Sequence, residues 1–202
     1  MDMGLDEMRE RRGSAYEVRI SLDGIKPTIW RRLLLQSDTT LHELHRAVQM
    51  LFGWYDYHLY RFEVGEREFE APDEEAEGED STKARLGKLG LEVGSSFRYV
   101  YDFGDDWWHT VEVEAYRPSV SWDWLPWVID GARRGPPEDC GGPSGYEEIQ
   151  ELLKQPAEDL DEEGQATLEW LGAGFDPDEF SSAQARHDLM LVSAWGALRR
   201  RR

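Results

Sequence analysis

Residues 96–116 read SFRYVYDFGDDWWHTVEVEAY and carry the clearest structural pattern in the chain. Two runs rich in aromatic and β-branched residues, Ser96 to Phe103 and Trp107 to Tyr116, flank Gly104-Asp105-Asp106. Residues of the first kind favour β-strands, whereas Gly and Asp favour the tight turn between antiparallel strands. The segment therefore predicts a β-hairpin with carboxylates at its turn.

Upstream of this hairpin, the sequence predicts a pair of strands. Residues 15–22 (AYEVRISL) alternate apolar and polar side chains, which is the period of a strand with one buried face. Residues 29–35 (IWRRLLL) predict a second strand, which follows a turn at Asp23-Gly24. The two strands are expected to pair.

A helix and a third strand are predicted between these elements. Apolar side chains in residues 40–52 (TLHELHRAVQMLF) recur on one face at helical spacing. Thr40 and Glu43 form a capping box, and Gly53 suits the C-terminal end of the helix. Residues 57–64 (YHLYRFEV) return to strand-forming types, so His58 is expected on a strand that could neighbour the hairpin.

The chain beyond the hairpin is predicted to be irregular and then helical. Residues 117–143 contain five of the nine prolines and predict a long loop, a kind of segment that often carries function. Helices are predicted over 146–154 and 165–171, and from Asp176 to about Leu198. A capping box at Ser144 and Glu147 is expected to open the first of them. We thus expect an α+β fold: an antiparallel or mixed sheet of about five strands, an early helix and a helical C-terminal third.

Composition indicates a folded protein of the reducing cytoplasm. The chain has 202 residues, of which 40% are hydrophobic and 32% charged, and we expect one domain over 15–198 with a flexible N-terminus (1–14) and a basic tail (199–202). It has no run of roughly 18 apolar residues and no secretory signal pattern. A single cysteine excludes an internal disulfide. We predict a cytoplasmic location and no membrane partner.

The net charge of the chain indicates which classes of partner it can bind. A net charge of −19, from 42 acidic and 23 basic side chains, repels phosphate backbones and disfavours direct binding to nucleic acid. Residues 70–80 (EAPDEEAEGED) hold seven acidic side chains and no basic one. A solvated loop explains such a run. The alternative is an acidic surface that mimics DNA and binds a basic protein.

The hairpin turn supplies the first set of candidate site residues. Asp102 and Asp105 lie at the turn, and Trp107 and His109 follow it. Aspartate and histidine bind metals and transfer protons, and His58 could reach the same site, so His58, Asp105 and His109 are the candidate metal ligands. The alternative is that the aspartates are ordinary turn residues and that His109 is a partly buried structural histidine.

The second set lies in a loop rich in Gly and Pro, residues 135–143 (GPPEDCGGP). Glu138 and Asp139 precede Cys140, which the loop could present as a nucleophile or a metal ligand. The alternative is a rigid connection with a small buried thiol. We expect this loop to lie beside the hairpin turn, so that the two segments form one concave site for a protein or a small-molecule ligand.

Other histidines and tryptophans have simpler interpretations. His45 lies on the apolar stripe of the predicted helix and is expected in the core, whereas His42 is expected to be exposed. Trp122, Trp124 and Trp127 crowd one loop. Core filling explains some tryptophans, and a partner or ligand surface is the alternative for these three.

Taken in order, these segments resemble the plasmid pRiA4b ORF-3-like family, whose members are also labelled insertion-element passenger (TnpR-type) proteins. The resemblance covers about residues 15–185. The matching motifs are Tyr16-x-Val18-x-Ile20, Ile25-Lys26-Pro27-x-Ile29-Trp30-Arg31-Arg32, Leu41-x-x-Leu44-His45, Gly53-Trp54, His58-Leu59-x-x-Phe62, Tyr101-Asp102-Phe103-Gly104-Asp105-x-Trp107-x-His109, Pro136-Pro137-Glu138-Asp139-Cys140-Gly141-Gly142, and Trp170-Leu171-x-x-x-Phe175-Asp176-Pro177-x-x-Phe180.

The resemblance implies a compact α+β fold and no established biochemical activity. The family label records a mobile-element neighbourhood, and this sequence has neither a basic DNA-binding surface nor a recognisable recombinase site. Many members carry cysteines shortly before Pro-Pro-Glu-Asp, where this chain has Val128 and Gly135. That difference argues against a cysteine-rich zinc site.

Three functional hypotheses follow from the sequence. The first is a cytoplasmic binding or accessory protein associated with mobile elements. The second is a metal-assisted enzyme that uses a His/Asp/Cys site. The third is an acidic DNA mimic or decoy that binds a basic protein. The sequence leaves the cofactor unknown and does not decide whether the protein is an enzyme.

Overall fold

A computed structural model describes residues 12–73, 76–121 and 126–199, and its main feature is one eight-stranded sheet. The strands are β1 (Arg12–Leu22), β2 (Trp30–Gln36), β3 (Tyr60–Val64), β4 (Arg67–Glu70), β5 (Glu79–Asp80), β6 (Ser96–Tyr101), β7 (Trp107–Ser121) and β8 (Trp127–Ala132). Their order across the sheet is β5-β4-β3-β6-β7-β1-β2-β8. All neighbours are antiparallel except β4 and β5, which are parallel.

The predicted hairpin and the predicted pair of early strands are both present. Strands β6 and β7 pair from Ser96 opposite Glu112 to Tyr101 opposite Trp107, and residues 102–106 form the turn. Strands β1 and β2 also pair with each other. The α+β class is confirmed.

The sheet has three more strands than the predicted five. Strand β8 lies inside the segment expected to be irregular, and β7 continues past Pro118 into the same segment. An edge strand such as β8 needs only one partner, β2, and carries a weaker apolar pattern than a central strand. Strands β4 and β5 are short, which explains why they lack a readable period.

The acidic run is partly regular structure. Residues 74 and 75 lie outside the described residues, but Glu79 and Asp80 form β5. Arg67 Nε donates a hydrogen bond to Glu79 Oε1 at 2.7 Å, and Lys83 Nζ lies 2.7 Å from an Asp80 oxygen. The C-terminal end of this run, Glu79 and Asp80, is therefore paired with cations.

Four α-helices accompany the sheet among the described residues. They are α1 (Leu41–Phe52), α2 (Gly142–Leu152), α3 (Glu162–Leu171) and α4 (Ser182–Arg199), with 3₁₀ turns at Leu86–Lys88 and Ala157–Asp159. The capping box of Thr40 and Glu43 and the left-handed Gly53 at the ends of α1 are confirmed. No described helix combines the length and the apolar character needed to cross a bilayer.

Two predicted helix starts are wrong. Helix α2 begins after Gly141 without a side-chain cap, so Ser144 and Glu147 lie inside it and form no capping box at its start. Helix α4 begins at Ser182. Asp176 instead closes a short turn, where it accepts a hydrogen bond from the backbone N–H of Asp178 at 2.9 Å.

One face of the sheet forms the core, and the other carries most of the charged side chains of the strands. Val18 in β1, Leu33 in β2 and Val111 in β7 are fully buried on the face that packs with α1. Adjacent residues point to the opposite face, where Arg32 forms a bidentate ion pair with Glu114. This one-sided burial is typical of an antiparallel sheet with one helical layer.

The chain ends differ from their predicted description where the structure describes them. Strand β1 begins at Arg12, so residues 12–14 belong to the sheet rather than to a flexible N-terminus. Residues 1–11 and 200–202 lie outside the described residues, as do Trp122 and Trp124. Trp127 is half-buried, and the guanidinium of Arg186 lies 4.6 Å from its ring centre.

Candidate functional site

Three segments bring one imidazole and three carboxylates together. His58 precedes β3, Asp102 opens the β6–β7 turn, and Glu138 and Asp139 lie in the Gly/Pro loop. His58 Nε2 lies 2.9 Å from Asp139 Oδ1, 3.6 Å from Asp102 Oδ2 and 3.9 Å from Glu138 Oε1. We call these four residues the His58 cluster.

The backbone of the hairpin turn positions Asp102. The residue has a φ of 57°, a left-handed conformation that aspartate tolerates better than most residues. Its Oδ1 accepts a hydrogen bond from the backbone N–H of Gly104 at 2.9 Å, and its own N–H donates to the carbonyl of Leu59 at 2.9 Å. The first bond leaves Oδ2 facing His58, and the second ties the turn to the segment that carries His58.

Glu138 is held by two donors from the sheet side. The Tyr101 hydroxyl donates a hydrogen bond to Oε1, and the backbone N–H of Tyr55 donates to Oε2 at 2.7 Å. The same hydroxyl accepts from the backbone N–H of Tyr57 at 3.1 Å. Burial and the bond to Glu138 raise the pKa of Tyr101, so the phenol stays protonated and remains a donor.

The Gly/Pro loop lies against the hairpin turn, as the sequence predicted. Asp105 Oδ2 accepts a hydrogen bond from the backbone N–H of Gly141 at 3.2 Å. Gly142 packs so closely that a Cβ there would lie 2.3 Å from the carbonyl oxygen of Asp105. On the other side, the indole of Trp54 donates to the carbonyl of Pro136 at 3.0 Å. The carboxylate of Asp105 thus holds the loop and is not one of the groups that surround His58.

Cys140 does not have the environment of a reactive thiol. Its side chain is half-buried, and burial, together with the charges of Asp105 and Asp139, raises its pKa to about 12. Nucleophilic attack and metal binding both require the thiolate. The half-buried neutral thiol agrees with the structural alternative for this loop.

His109 and Trp107 belong to the core rather than to the site. His109 is fully buried, and its Nδ1–H donates to the carbonyl of Trp107 at 3.0 Å. The rings of Phe52 and Trp54 pack edge-on against it. Burial lowers its pKa to about 3, so the imidazole is neutral at physiological pH. The expectation that His109 shares a site with His58 is not met, and Trp107 is only 1% exposed.

Two other histidines form a buried polar network. His45 is buried as expected; it hydrogen-bonds the Tyr99 hydroxyl at 2.8 Å and Asp56 at 2.7 Å. His42 is half-buried rather than exposed, because its Nδ1 hydrogen-bonds the Tyr60 hydroxyl at 2.8 Å. Burial lowers the pKa of both histidines. The two histidines share no hydrogen bond with the four residues of the His58 cluster within the described part of the chain.

A groove of about 640 Å³ adjoins the cluster, and Glu138 and Asp139 lie in its wall. This volume is within the range of small-molecule sites. Tyr55, Tyr57 and Trp170 are more than half exposed and also line it. The groove is further defined by Arg31, Phe52, Arg134, Phe175, Phe180 and Gln184.

The His58 cluster fits a divalent cation. Ligand atoms of His58, Asp102 and Asp139 lie within 4.8 Å of one another. Nitrogen and oxygen ligands at about 2.0–2.2 Å from one ion lie up to about 4.4 Å apart, so small shifts would close the site. His58 Nε2 is buried and, despite its 2.9 Å distance from Asp139, makes no hydrogen bond of suitable direction with any described residue. One imidazole with carboxylates suits Zn²⁺ or Mn²⁺.

All four residues of the His58 cluster are among the site residues that the sequence predicts. As metal ligands, however, the sequence favours Asp105 and His109 over Asp102 and Asp139. Two functional residues are not predicted as site residues: Tyr101, which orients Glu138, and Arg31, which lines the groove.

Comparisons with known proteins agree with this fold. The profile of the family described as "Plasmid pRiA4b ORF-3-like protein" matches residues 14–184. The "Uncharacterized protein y4hQ" of Sinorhizobium fredii (strain NBRC 101917 / NGR234) is 33% identical over 198 residues, which cover 94% of this chain and 98% of that protein. A crystal structure of a "Protein of Unknown Function MM3350 from Methanosarcina mazei Go1" is 34% identical with a TM-score of 0.77, covering 85% of this chain and 97% of that one. This chain therefore belongs to the plasmid pRiA4b ORF-3-like family.

Proposed function

We propose that the protein is a metal-dependent binding protein. In this proposal His58, Asp102 and Asp139 hold one divalent transition-metal ion, and the adjoining groove holds the ligand. The observation that carries the proposal is the buried Nε2 of His58, which lies within 3.9 Å of three carboxylates without a properly directed hydrogen bond.

Electrostatics supports a cation at this point. Two like charges about 4 Å apart repel by about 4 kcal/mol at an effective dielectric constant of about 20. A protonated His58 would offset one of the three negative charges, whereas a divalent ion offsets two and also supplies coordinate bonds. Asp102 and Glu138 have little exposed side chain, 11% and 8%, so solvent screens them weakly.

The competing interpretation is a simple ion pair between His58 and Asp139. Metal content by mass spectrometry and calorimetric titration with Zn²⁺ and Mn²⁺ separate the two. We expect one ion per chain, with affinity lowered about tenfold or more in His58→Ala and Asp139→Asn. His187→Ala, an exposed histidine on α4, is the matched control and should bind like the wild type. Equal metal binding by all variants, or none by the wild type, would overturn the proposal.

One observation favours a second candidate, metal-assisted hydrolysis. The Glu138 carboxylate is fixed by Tyr101 and Tyr55 and lies beside the proposed ion rather than among its three ligands. A carboxylate so placed can accept a proton from metal-bound water. Under this candidate Glu138→Gln keeps metal binding but abolishes turnover of any substrate that the metal-loaded wild type hydrolyses.

We also infer an accessory role on mobile elements and a cytoplasmic location. The plasmid origin in the family's description supports the first, and the single cysteine supports the second. Growth of a plasmid-bearing host with and without the gene, and fractionation of that host, test the two inferences separately.

A further inference from the structure

We propose that Arg31 forms an anion-binding site in the groove, and that it binds a carboxylate or phosphate group of a small ligand. The site is built on a different observation from the His58 cluster. The anion site names the chemical class of the ligand that the proposed function leaves open. It rests on the proposed function in one respect only: that the other end of the ligand reaches the metal.

Arg31 is a buried cation without a counterion among the described residues. The residue is 2% exposed. Its Nε donates to the carbonyl of Leu51 at 2.9 Å, and its Nη1 donates to the carbonyls of Trp30 and Ala132, each at 2.9 Å. Within the described part of the chain, no carboxylate lies within 4.0 Å of its guanidinium, and Nη2 donates no hydrogen bond.

The buried positive charge of Arg31 is only partly compensated by its neighbours. Removing a charged group from water costs several kcal/mol unless it is paired, and arginine is rarely buried without a partner. Carbonyl dipoles offset part of that cost, but burial still lowers the pKa of Arg31 to about 9. The side chain is nevertheless charged at neutral pH, and an anion from outside the chain would supply the missing pair.

The surroundings leave one direction open for that anion. The ring centres of Phe52 and Phe180 lie 4.8 Å and 4.4 Å from the guanidinium carbon, so both rings pack against the cation. Nε and Nη1 donate their hydrogen bonds to three backbone carbonyls. Nη2 is therefore the part of Arg31 left to the groove, whose wall the residue shares with Glu138 and Asp139. An oxyanion approaching in the guanidinium plane would accept its hydrogen bond.

The rest of the groove restricts the ligand. Glu138, Asp139, Glu179 and Asp188 also line it, so a polyanion would be repelled. A small molecule with one carboxylate or phosphate group at Arg31, and a neutral or metal-binding group toward the His58 cluster, satisfies both ends. Exposed Trp170 and Tyr57 offer apolar contact between them.

The test uses the full chain freed of metal by a chelator, so that it is independent of the His58 cluster. Inorganic phosphate and acetate are titrated in separate arms at constant ionic strength, with calorimetry and thermal unfolding as readouts. We expect saturable binding and a rise in Tm in at least one arm. Arg31→Gln should weaken that binding about tenfold or more.

Two further variants serve as a control and as a second test in case Arg31→Gln does not fold. Arg134→Gln removes an exposed groove arginine that already pairs with Glu179, and it should bind within about twofold of the wild type. Gln184→Glu adds a negative charge to the groove at an exposed, isosteric position and should weaken binding about threefold or more even if Arg31→Gln does not fold. The proposal is overturned if neither phosphate nor acetate shows saturable binding. It is also overturned if Arg31→Gln binds the anion as tightly as the wild type, or, where Arg31→Gln does not fold, if Gln184→Glu does. None of these outcomes bears on the metal site.

Discussion

The hydroxyl of Tyr101, at the end of the central strand β6, donates a hydrogen bond to the carboxylate of Glu138 in the Gly/Pro loop. Two segments far apart in sequence are thereby fixed beside His58, and the loop is held to the sheet by a part-buried hydrogen bond. The orientation of the Glu138 carboxylate beside the proposed ion depends on this bond.

Replacing Tyr101 with Phe should therefore affect both stability and metal binding. The change leaves Glu138 with one donor instead of two, which costs about 1–3 kcal/mol when the acceptor is buried. Urea denaturation measures this loss, and Zn²⁺ titration should show affinity lowered about threefold or more. Tyr57→Phe is the control, because Tyr57 is 74% exposed. Identical behaviour of the two variants would contradict the role given to Tyr101.

Acid should destabilise the protein through its buried histidines. His109 has a folded-state pKa near 3, below the ordinary value of 6.5. Because the pKa is lower in the folded state, the unfolded state takes up the proton at a higher pH than the folded state does. The stability from the neutral ring is thus complete above pH 6.5 and is lost as pH falls from there toward 3. His42 and His45 shift in the same direction.

Urea unfolding between pH 7.5 and about 4.5 measures this loss, which for one histidine approaches about 1.4 kcal/mol per pH unit. His109→Gln should show a shallower dependence on pH than the wild type, even if it is less stable throughout. His187→Gln, on the exposed face of α4, should keep the wild-type slope. A slope unchanged in His109→Gln would show that the ring does not titrate as described.

Asp105 should prove structural rather than a metal ligand. Its carboxylate accepts the backbone N–H of Gly141, so Asp105→Ala should lower the free energy of unfolding by about 1 kcal/mol. Affinity for Zn²⁺ should stay within about threefold of the wild type, because Asp105 is outside the His58 cluster. Lost metal binding with unchanged stability would place Asp105 in the site instead.

Cys140 should react slowly with thiol reagents. A thiol with a pKa near 12 is almost entirely protonated at pH 8, and the side chain is also half-buried. Modification of the native protein by a disulfide reagent should therefore be about tenfold or more slower than that of a free thiol. Cys140→Ala should retain metal binding. Rapid modification of the native protein would restore the nucleophile hypothesis.

Some elements of the fold are predictable because their own sequence indicates them. The β6–β7 hairpin and helix α1 carry their own period, turn and caps, so the sequence alone indicates them. Strand β8 is different, because it depends on pairing with β2 and has little apolar alternation of its own. Helix α2 begins earlier than predicted, at Gly142, and this residue packs closely on Asp105 in the hairpin turn, a contact between segments distant in sequence.

The candidate site was predictable in composition but not in geometry. His109 alternates with Val111 and Val113, a pattern that favours the core, and the structure places it there. The same alternation applies to Arg31. It alternates with Leu33 in β2, so its side chain lies on the core face of the strand. The contact of His58 with Asp102 depends on β3 lying beside β6, which the chain order does not specify.

The most direct measurement is a crystal structure of the protein soaked with Zn²⁺ or Mn²⁺, with anomalous diffraction recorded at the metal edge. We expect one anomalous peak about 2.0–2.3 Å from His58 Nε2 and from carboxylate oxygens of Asp102 and Asp139. No peak at this position, together with His58 Nε2 hydrogen-bonded to Asp139, would contradict the proposed metal site.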